Sequence, residues 1–217
     1  IQRKSIHRFG RIFFIHDNNT ISNQDYINVP ILLNIFLGRS PRMKKIVLVI
    51  VIIIAIISSN FRWYVFNQEY YEEEFSKLGI DKVFPKEQAK ENARLLIEFL
   101  REGKPLATDF FNEREKQHLQ DVKKLIEWAN ILLYSSLLLL LLGIYHNRKE
   151  LSRPLFFAGM SLVLLPILLY FMNFNGIFIK FHELFFNNDL WLLNPETDNL
   201  IKLFPEQFFI DFVKRIG

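Results

Sequence analysis

Histidine is the side chain in this sequence best suited to moving protons near neutral pH, and the chain carries only five of them. His7 and His16 lie in a stretch without periodicity, and His146 stands among the cations of a short loop. His118 and His182 remain as candidate catalytic residues. Two neutral imidazoles at one site could act as general base and general acid on a lipid ester.

Both candidate histidines are predicted at the same depth of one interface. His118 precedes Leu125, where an apolar segment starts, by seven residues, which is roughly 10 Å of helix at ~1.5 Å per residue. His182 follows Phe174, where another apolar segment ends, by eight residues. Asp121 lies on the same helical face as His118, where a carboxylate could fix the tautomer of the imidazole. The alternative is that the two histidines are ordinary solvated residues of an interface.

Other kinds of site have weaker signals. The absence of Cys excludes disulfides, thiolate metal ligands and a Cys nucleophile. No G-x-S-x-G, Gly-rich phosphate loop or H-E-x-x-H occurs, so neither a serine hydrolase nor a metal site is indicated, although His118, His182, Asp121 and Glu183 could in principle bind a metal. A net charge of +4 is too small to indicate a nucleic-acid partner, and no cofactor is predicted.

The elements that must position these residues are predicted to be membrane helices. Half of the 217 residues are hydrophobic and 23 are Phe, more aromatic side chains than a globular interior of this size needs. Three segments reach the length of about 20 residues that spans hydrocarbon, namely residues 46–66, 125–145 and 155–174. The third contains Pro166, which a membrane helix tolerates with a kink. The predicted fold class is all-α integral membrane, a bundle of three visible transmembrane helices.

The distribution of basic residues predicts the orientation of these spans. The loop of residues 146–153 is net positive, and four further cations precede the first span: Arg39, Arg42, Lys44 and Lys45. Basic loops stay in the cytoplasm, so residues 67–124 and 175–217 are predicted to be extracytoplasmic. Residues 43–217 are therefore expected to form one multi-pass domain in the cell membrane, with a small helical cap and an outward-facing site.

The first 42 residues are predicted to be either an over-extended reading frame or a disordered N-terminal extension. Met43 is followed by two lysines and an apolar run, which resembles a natural start. For the first span, residues 46–66, the alternative is a signal peptide that is cleaved near residues 58–60.

Local signals predict helices in the polar segments. One should start near Pro85 and stop at Gly103, and another should start near Asn112 and continue into the second span. Residues 177–185 have the spacing of an amphipathic helix in the headgroup layer, and a last helix should start at Pro205.

Two ordered motifs carry a resemblance to a known family. Residues 112–123 contain E-x-x-H-x-x-D-V-K, and residues 181–191 contain F-H-x-x-F-F-x-x-x-x-W. From about Met43 to its end, the sequence resembles the lipoprotein intramolecular transacylase family. In that family the substrate is a diacylglyceryl lipoprotein, and the enzyme moves the sn-2 acyl chain from glycerol to the amine of the N-terminal Cys, giving a lyso-form lipoprotein.

This resemblance implies roles for individual residues. His118 and His182 match the two family histidines and are implied as catalytic, while four further positions match as supporting residues: Glu115, Asp121, Trp191 and Asp198. The implied partners are membrane lipid and the lipoprotein substrate.

The family fold resembles a four-span bundle whose final helix follows the segment starting at Pro205. This sequence stops at Gly217, before any such span, so the last helix is expected to be truncated. Two alternatives for function stay open. One is a lipid-ester hydrolase that uses the same histidines with water, and the other is a non-enzymatic membrane assembly or metal-carrying subunit.

Overall fold

The computed structural model describes residues 11–12, 27–28, 40–147, 151–170 and 173–216. Within these ranges the regular secondary structure is helical apart from one antiparallel pair of two-residue strands, β1 (Arg11–Ile12) and β2 (Ile27–Asn28). Apart from these two strands, residues 1–39 of the predicted N-terminal extension lie outside the described residues. The described helices are α1 (Pro41–Val65), α2 (Gln68–Leu78), α3 (Lys86–Glu102), α4 (Glu113–Asn147), α5 (Ser152–Tyr170), α6 (Phe174–Phe185), α7 (Asn199–Leu203) and α8 (Glu206–Ile216), with a 3₁₀ turn at Ile80–Lys82.

Three long apolar helices correspond to the predicted spans. By length and composition α1 and α4 can cross a membrane; α4 contains the predicted span 125–145, and α1 contains the predicted span 46–66 except its last residue, Phe66, which caps the helix. Helix α1 continues without a break through residues 58–60. Helix α5 covers most of the third predicted span, and residues 171–172 of that span lie outside the described residues. The exposed large side chains of α5 are Leu155, Phe156, Phe157, Met160, Val163 and Leu164, which give it an apolar surface.

Helix α1 packs against both α4 and α5. Its approach to α4 is close because Gly143 has no side chain: a Cβ there would lie 3.1 Å from Cδ2 of Leu48. Near the other end of α1, Nη1 of Arg62 donates a hydrogen bond of 2.7 Å to Oδ1 of Asn130 on α4. Helix α4 therefore contacts α1 near both ends of α1.

The polar segment between α1 and α4 folds where local signals predict. Pro85 directly precedes α3, and Gly103, with a left-handed φ of 71°, ends it. Gly79 ends α2 in the same way with a φ of 69°. Helix α4 begins directly after Asn112 and runs into the second span without interruption. The boundaries predicted at Pro85, Gly103 and Asn112 are confirmed.

A compact aromatic core joins α2 and α3 to α7 and α8, and we call these four helices the cap. The rings of Tyr71 and Phe208 lie 5.6 Å apart, as do those of Phe75 and Phe204. Helix α8 begins directly after Pro205, as predicted. Leu119 of α4 is buried in the same core, so the first turns of α4 are fixed by the cap.

Ion pairs attach α8 to α2 beside this core. Nζ of Lys77 lies 2.6 Å from a carboxylate oxygen of Asp211 and 3.2 Å from one of Glu74, whose side chain is fully buried. Arg215 lies 3.4 Å from the same Glu74 carboxylate. Both acids therefore have cationic partners, as buried carboxylates require.

Candidate active site

His118 and His182, 64 positions apart in sequence, lie side by side in the fold. Their ring centroids are 6.1 Å apart, and the ring planes are inclined by 31°. Each residue is almost fully buried, with 6% and 8% of its surface exposed. Helix α4 supplies His118 and helix α6 supplies His182, so the site forms where the two helices meet.

The backbone of α6 determines the tautomer of His182. Its Nδ1 lies 2.6 Å from the carbonyl oxygen of Phe178, one helical turn earlier. A carbonyl oxygen only accepts hydrogen bonds, so Nδ1 must carry the proton. In the neutral ring Nε2 therefore has a free lone pair and is able to accept a proton.

His118 is held as a neutral ring. Its Nδ1 is buried and has no hydrogen-bond partner among the described residues. Burial lowers the pKa of His118 from its usual 6.5 to about 4, the nearby His182 lowers it further, and the charge of Asp121 acts in the opposite direction. His118 precedes Leu125, the predicted start of the second span, by seven residues. A buried polar atom without a partner is uncommon and marks a site where a ligand group could bind.

The imidazole of His182 is also less basic than usual. Burial lowers its pKa, and the hydrogen bond to the carbonyl of Phe178 partly offsets this effect. Among the described residues, only the ring of His182 has a hydrogen bond that stabilises its protonated form.

Aromatic side chains enclose the two histidines. The ring of Phe186 lies 5.1 Å from that of His118 and 5.5 Å from that of His182. Trp191 lies 4.9 Å from His182 at an interplanar angle of 31°, and Phe178 lies 4.3 Å from it. We call this enclosed region the aromatic pocket; because its two imidazoles are almost fully buried, hydrogen bonds and charges act more strongly on them than in water.

Glu115 is a structural carboxylate beside this pocket. It is 1% exposed. Glu115 and Asn112 form two reciprocal capping hydrogen bonds at the start of α4. The N–H of Asn112 donates to the Glu115 carboxylate at 2.6 Å, and the N–H of Glu115 donates to Oδ1 of Asn112 at 2.9 Å. Its other oxygen accepts the N–H of Leu200 in the first turn of α7, at 2.5 Å. One carboxylate thus satisfies backbone donors at the start of α4 and of α7.

Asp198 fixes the segment that leads into α7. It accepts hydrogen bonds from the N–H of Asn194 at 2.8 Å, from Oγ1 of Thr197 at 3.1 Å and from Nδ2 of Asn112 at 3.0 Å. The hydrogen bond from Asn194 is the main cause of the lowered pKa of Asp198. Asn112 therefore forms hydrogen bonds with both Asp198 and Glu115.

Asp121 lies near His118, but its two oxygens bind other groups. One accepts a hydrogen bond of 2.9 Å from Nδ2 of Asn188, and the other lies 2.9 Å from Nζ of Lys124. The hydrogen bond from Lys124 is the main cause that lowers the pKa of Asp121. Since Nδ1 of His118 has no partner in the described part of the chain, Asp121 does not orient the imidazole through that atom.

Sequence reasoning missed several residues of the site. Phe178 and Phe186 lie four residues before and after His182, a spacing that could have identified them as neighbours of its ring. Asn112 with Glu115 three residues later is a capping signature. The contact of Asn188 with Asp121 spans 67 positions, and no local signal announces it. Within the described ranges no three His, Asp or Glu side chains converge as metal ligands.

The fold and the site together define a class: helical membrane proteins in which two buried histidines share an aromatic pocket next to a helical cap. A family model described as lipoprotein intramolecular transacylase Lit matches residues 46–209. The chain belongs to this family, and it is an enzyme of the acyltransferase class.

Solved structures agree with this assignment. The membrane-integral lipoprotein intramolecular transacylase Lit from Bacillus cereus is 26% identical, with a TM-score of 0.70 over 81% of this chain and 86% of that chain. Two variants of the same protein, in which a histidine is replaced by arginine or by alanine, give TM-scores of 0.68 and 0.65 at the same identity, over 81% of this chain and 83% and 84% of theirs. A search of curated proteins finds no match.

Proposed function

We propose that this protein moves the sn-2 acyl chain of a diacylglyceryl lipoprotein to the α-amino group of the lipoprotein's N-terminal Cys, using His118 and His182. The observation that carries the proposal is the burial of two imidazoles 6.1 Å apart in an apolar pocket, in a chain of this family. An ester and an amine of one substrate molecule would meet between these rings.

His182 acts first as the general base. The amine nitrogen attacks the ester carbonyl carbon while Nε2 of His182 removes a proton from it. The hydrogen bond from Nδ1 to the carbonyl of Phe178 supports this role, because it stabilises the imidazolium that forms. The bond between the carbonyl carbon and the glycerol oxygen then breaks, and the proton on Nε2 passes to that oxygen. One amide bond forms, one ester bond breaks, and His182 returns to its starting state.

His118 acts as a neutral hydrogen-bond donor. With a pKa of about 4 it carries no charge at neutral pH, and a neutral imidazole still has one N–H. Donation of this N–H to the ester oxygen would stabilise the negative charge that develops there, most effectively in a pocket without water. The two histidines therefore have different tasks, set by different surroundings.

The chemistry needs no nucleophile from the protein, since both reacting groups belong to the substrate. A pocket that holds amine and ester together converts the acyl transfer into an intramolecular step. The enclosing aromatic side chains favour this reaction over hydrolysis because they restrict the access of water to the ester.

The pocket belongs at the extracytoplasmic surface of the cell membrane, within a single domain of residues 43–217 in which α5 forms the third span. The outer face of α6 supports this position. Phe181, Leu184 and Phe185 are exposed beside the buried His182, as expected of a helix whose apolar face lies among acyl chains.

The test replaces each histidine separately by Ala in a host that lacks this activity. Mass spectrometry of the N-terminal peptide of a reporter lipoprotein distinguishes the lyso, N-acylated product from the substrate. We expect product formation to fall by a factor of about 10² to 10⁴ in His182→Ala and by about 10² or more in His118→Ala. Glu183→Ala serves as the control, because Glu183 is exposed and adjacent to His182 in sequence.

Two results would contradict the proposal. The first is wild-type product formation in both histidine variants when their membrane insertion is normal. The second is release of free fatty acid without N-acylated lipoprotein, which would indicate that water replaces the amine and that the enzyme is a hydrolase.

A further inference from the structure

Three polar residues lie on one face of α4 at the active site. Arg114, His118 and Asp121 are spaced at i, i+4 and i+7, which places them along a single helical stripe. Arg114 and Asp121 therefore lie on either side of His118 along the helix. Both of them bind the segment that follows α6, whereas His118 faces His182.

That segment contains a tight turn at residues 189–192, which we call the Trp191 turn. The N–H of Leu192 donates to the carbonyl of Asp189 at 3.1 Å, so Trp191 occupies the third position of a four-residue turn. Nη2 of Arg114 donates to the carbonyl of Asp189 at 2.5 Å and to that of Leu192 at 3.1 Å. A single guanidinium nitrogen thus holds the first and last carbonyls of the turn.

Asp121 holds the residue that precedes the turn. It accepts the side-chain amide of Asn188, and the other end of that amide, Oδ1, accepts the N–H of Leu190 at 3.1 Å. The turn is therefore tied to α4 at two points on either side of His118. Its position relative to His118 is determined by α4 rather than by the loop itself.

The Trp191 turn also covers His182. The indole of Trp191 lies 4.9 Å from the imidazole of His182, nearly parallel to it. His182 is on a different helix from Arg114, so the turn links the two helices that each carry a histidine. Movement of the turn away from α4 would uncover His182.

We propose that Arg114 is a positioning residue, which holds the Trp191 turn against α4 so that Trp191 covers His182 next to His118. This inference rests on the proposed function, because it concerns the reactivity of the histidine pair. Arg114 itself is exposed and does not contact either ring. Its positive charge also lowers the pKa of Asp198, which fixes the chain just beyond the turn.

The consequence for the chemistry is a change in the surroundings of His182. Release of the turn admits water to the imidazole and removes the main cause of its lowered pKa, which is burial. Its pKa should then rise toward the usual value. The titratable neighbours of His182 are His118 on α4, with Asp121 one turn beyond, and the exposed Lys180 and Glu183 on its own helix. None of these is removed when Arg114 is replaced.

The experiment compares Arg114→Met with Arg114→Lys in the full chain, reconstituted with lipoprotein substrate. Methionine keeps the length of the side chain without a donor, and we expect kcat to fall about tenfold with KM nearly unchanged. Lysine keeps a charged donor for the two carbonyls and should restore most of the activity. Arg94→Met is the matched control, because within the described part of the chain the guanidinium of Arg94 binds Glu91 and Glu98 on the surface of α3.

A second readout does not depend on activity. Trp63 and Trp128 are 67% and 70% exposed and can be replaced by Phe, which leaves Trp191 as the single tryptophan. Protonation of His182 quenches the indole that covers it, so Trp191 fluorescence should titrate with His182 in acid. In the Arg114→Met protein this titration should move to higher pH and lose amplitude. Loss of folded protein alone would reduce the signal without moving its midpoint.

Several outcomes would overturn the inference. They are wild-type kcat in Arg114→Met, an unchanged fluorescence midpoint in a folded variant, or an Arg114→Lys variant no better than Arg114→Met. If Arg114→Met does not fold, the lysine variant and its fluorescence midpoint decide the question. The two failures can be distinguished. If the proposed function is wrong, His118→Ala and His182→Ala stay active. If only the role of Arg114 is wrong, both histidine variants are inactive and Arg114→Met behaves like the wild type.

Discussion

Replacement of Glu115 by Ala should loosen the cap without removing the membrane helices. The carboxylate of Glu115 accepts the N–H of Leu200 at 2.5 Å and that of Asn112 at 2.6 Å, and the side chain is 1% exposed. Loss of a buried acceptor costs about 1–3 kcal/mol for the donor left behind, and loss of the capping hydrogen bond at the start of α4 costs about 1 kcal/mol. We therefore expect a destabilisation of about 3 kcal/mol.

For a chain of this length, that energy corresponds to a fall in Tm of about 6–12 °C. The assay is thermal unfolding in detergent followed by near-ultraviolet circular dichroism, since the packed tyrosines of the cap contribute to that signal only while the cap is folded. Far-ultraviolet signals would be less informative because the long membrane helices contribute most of the helicity.

Two further variants make the test specific. Glu115→Gln keeps one acceptor oxygen but turns an amide toward the second N–H, so its loss should be about half as large. Glu113→Ala is the matched control: its side chain is 84% exposed and pairs with Lys116 at 3.1 Å, which contributes less than about 1 kcal/mol. A Tm of Glu115→Ala within about 2 °C of the Glu113→Ala value would refute the reasoning that one carboxylate fixes the starts of α4 and α7.

Two other predictions concern stability. The pKa of His118 is about 4 in the folded protein, below its usual 6.5. Between these pH values only the unfolded chain binds a proton at this residue, so the free energy of unfolding falls by up to about 3 kcal/mol as the pH drops through this range. His118→Gln should reduce the fall in Tm between pH 7 and pH 4.5, and an equal fall would contradict the assignment. Gly143→Leu should cost about 1–3 kcal/mol because its side chain meets Leu48, whereas Gly159→Leu, with open space around it, should be neutral in the same melting assay.

Local sequence signals were sufficient to predict the framework. Pro85 and Gly103 delimit α3 because proline favours a helix start and glycine adopts the left-handed φ at its end. The continuity of α4 from Asn112 into the second span followed from the absence of any breaker between them. Such signals act within a few residues, so they can be recognised in the sequence alone.

The contacts that complete the site are not local. Spacing suggested Asp121 as the partner of His118, but Asn188, which is 67 positions away, occupies one of its oxygens. In the same way Glu115 binds Leu200, which is 85 positions away. Which distant donor reaches a carboxylate depends on how the cap folds, and helical periodicity does not specify this.

The single uninterrupted run of α4 has a mechanical consequence. At ~1.5 Å per residue its 35 residues form a rod about 52 Å long, which exceeds the hydrocarbon thickness of about 30 Å. His118 is rigidly attached to this rod, whereas His182 is carried by a separate 12-residue helix. The cap and the Trp191 turn are both fixed to the first turns of this rod, so a thinner or thicker bilayer that changes its tilt should carry them along with His118. His182 packs against the same turn through Trp191, so we expect the two imidazoles to move together when the tilt changes.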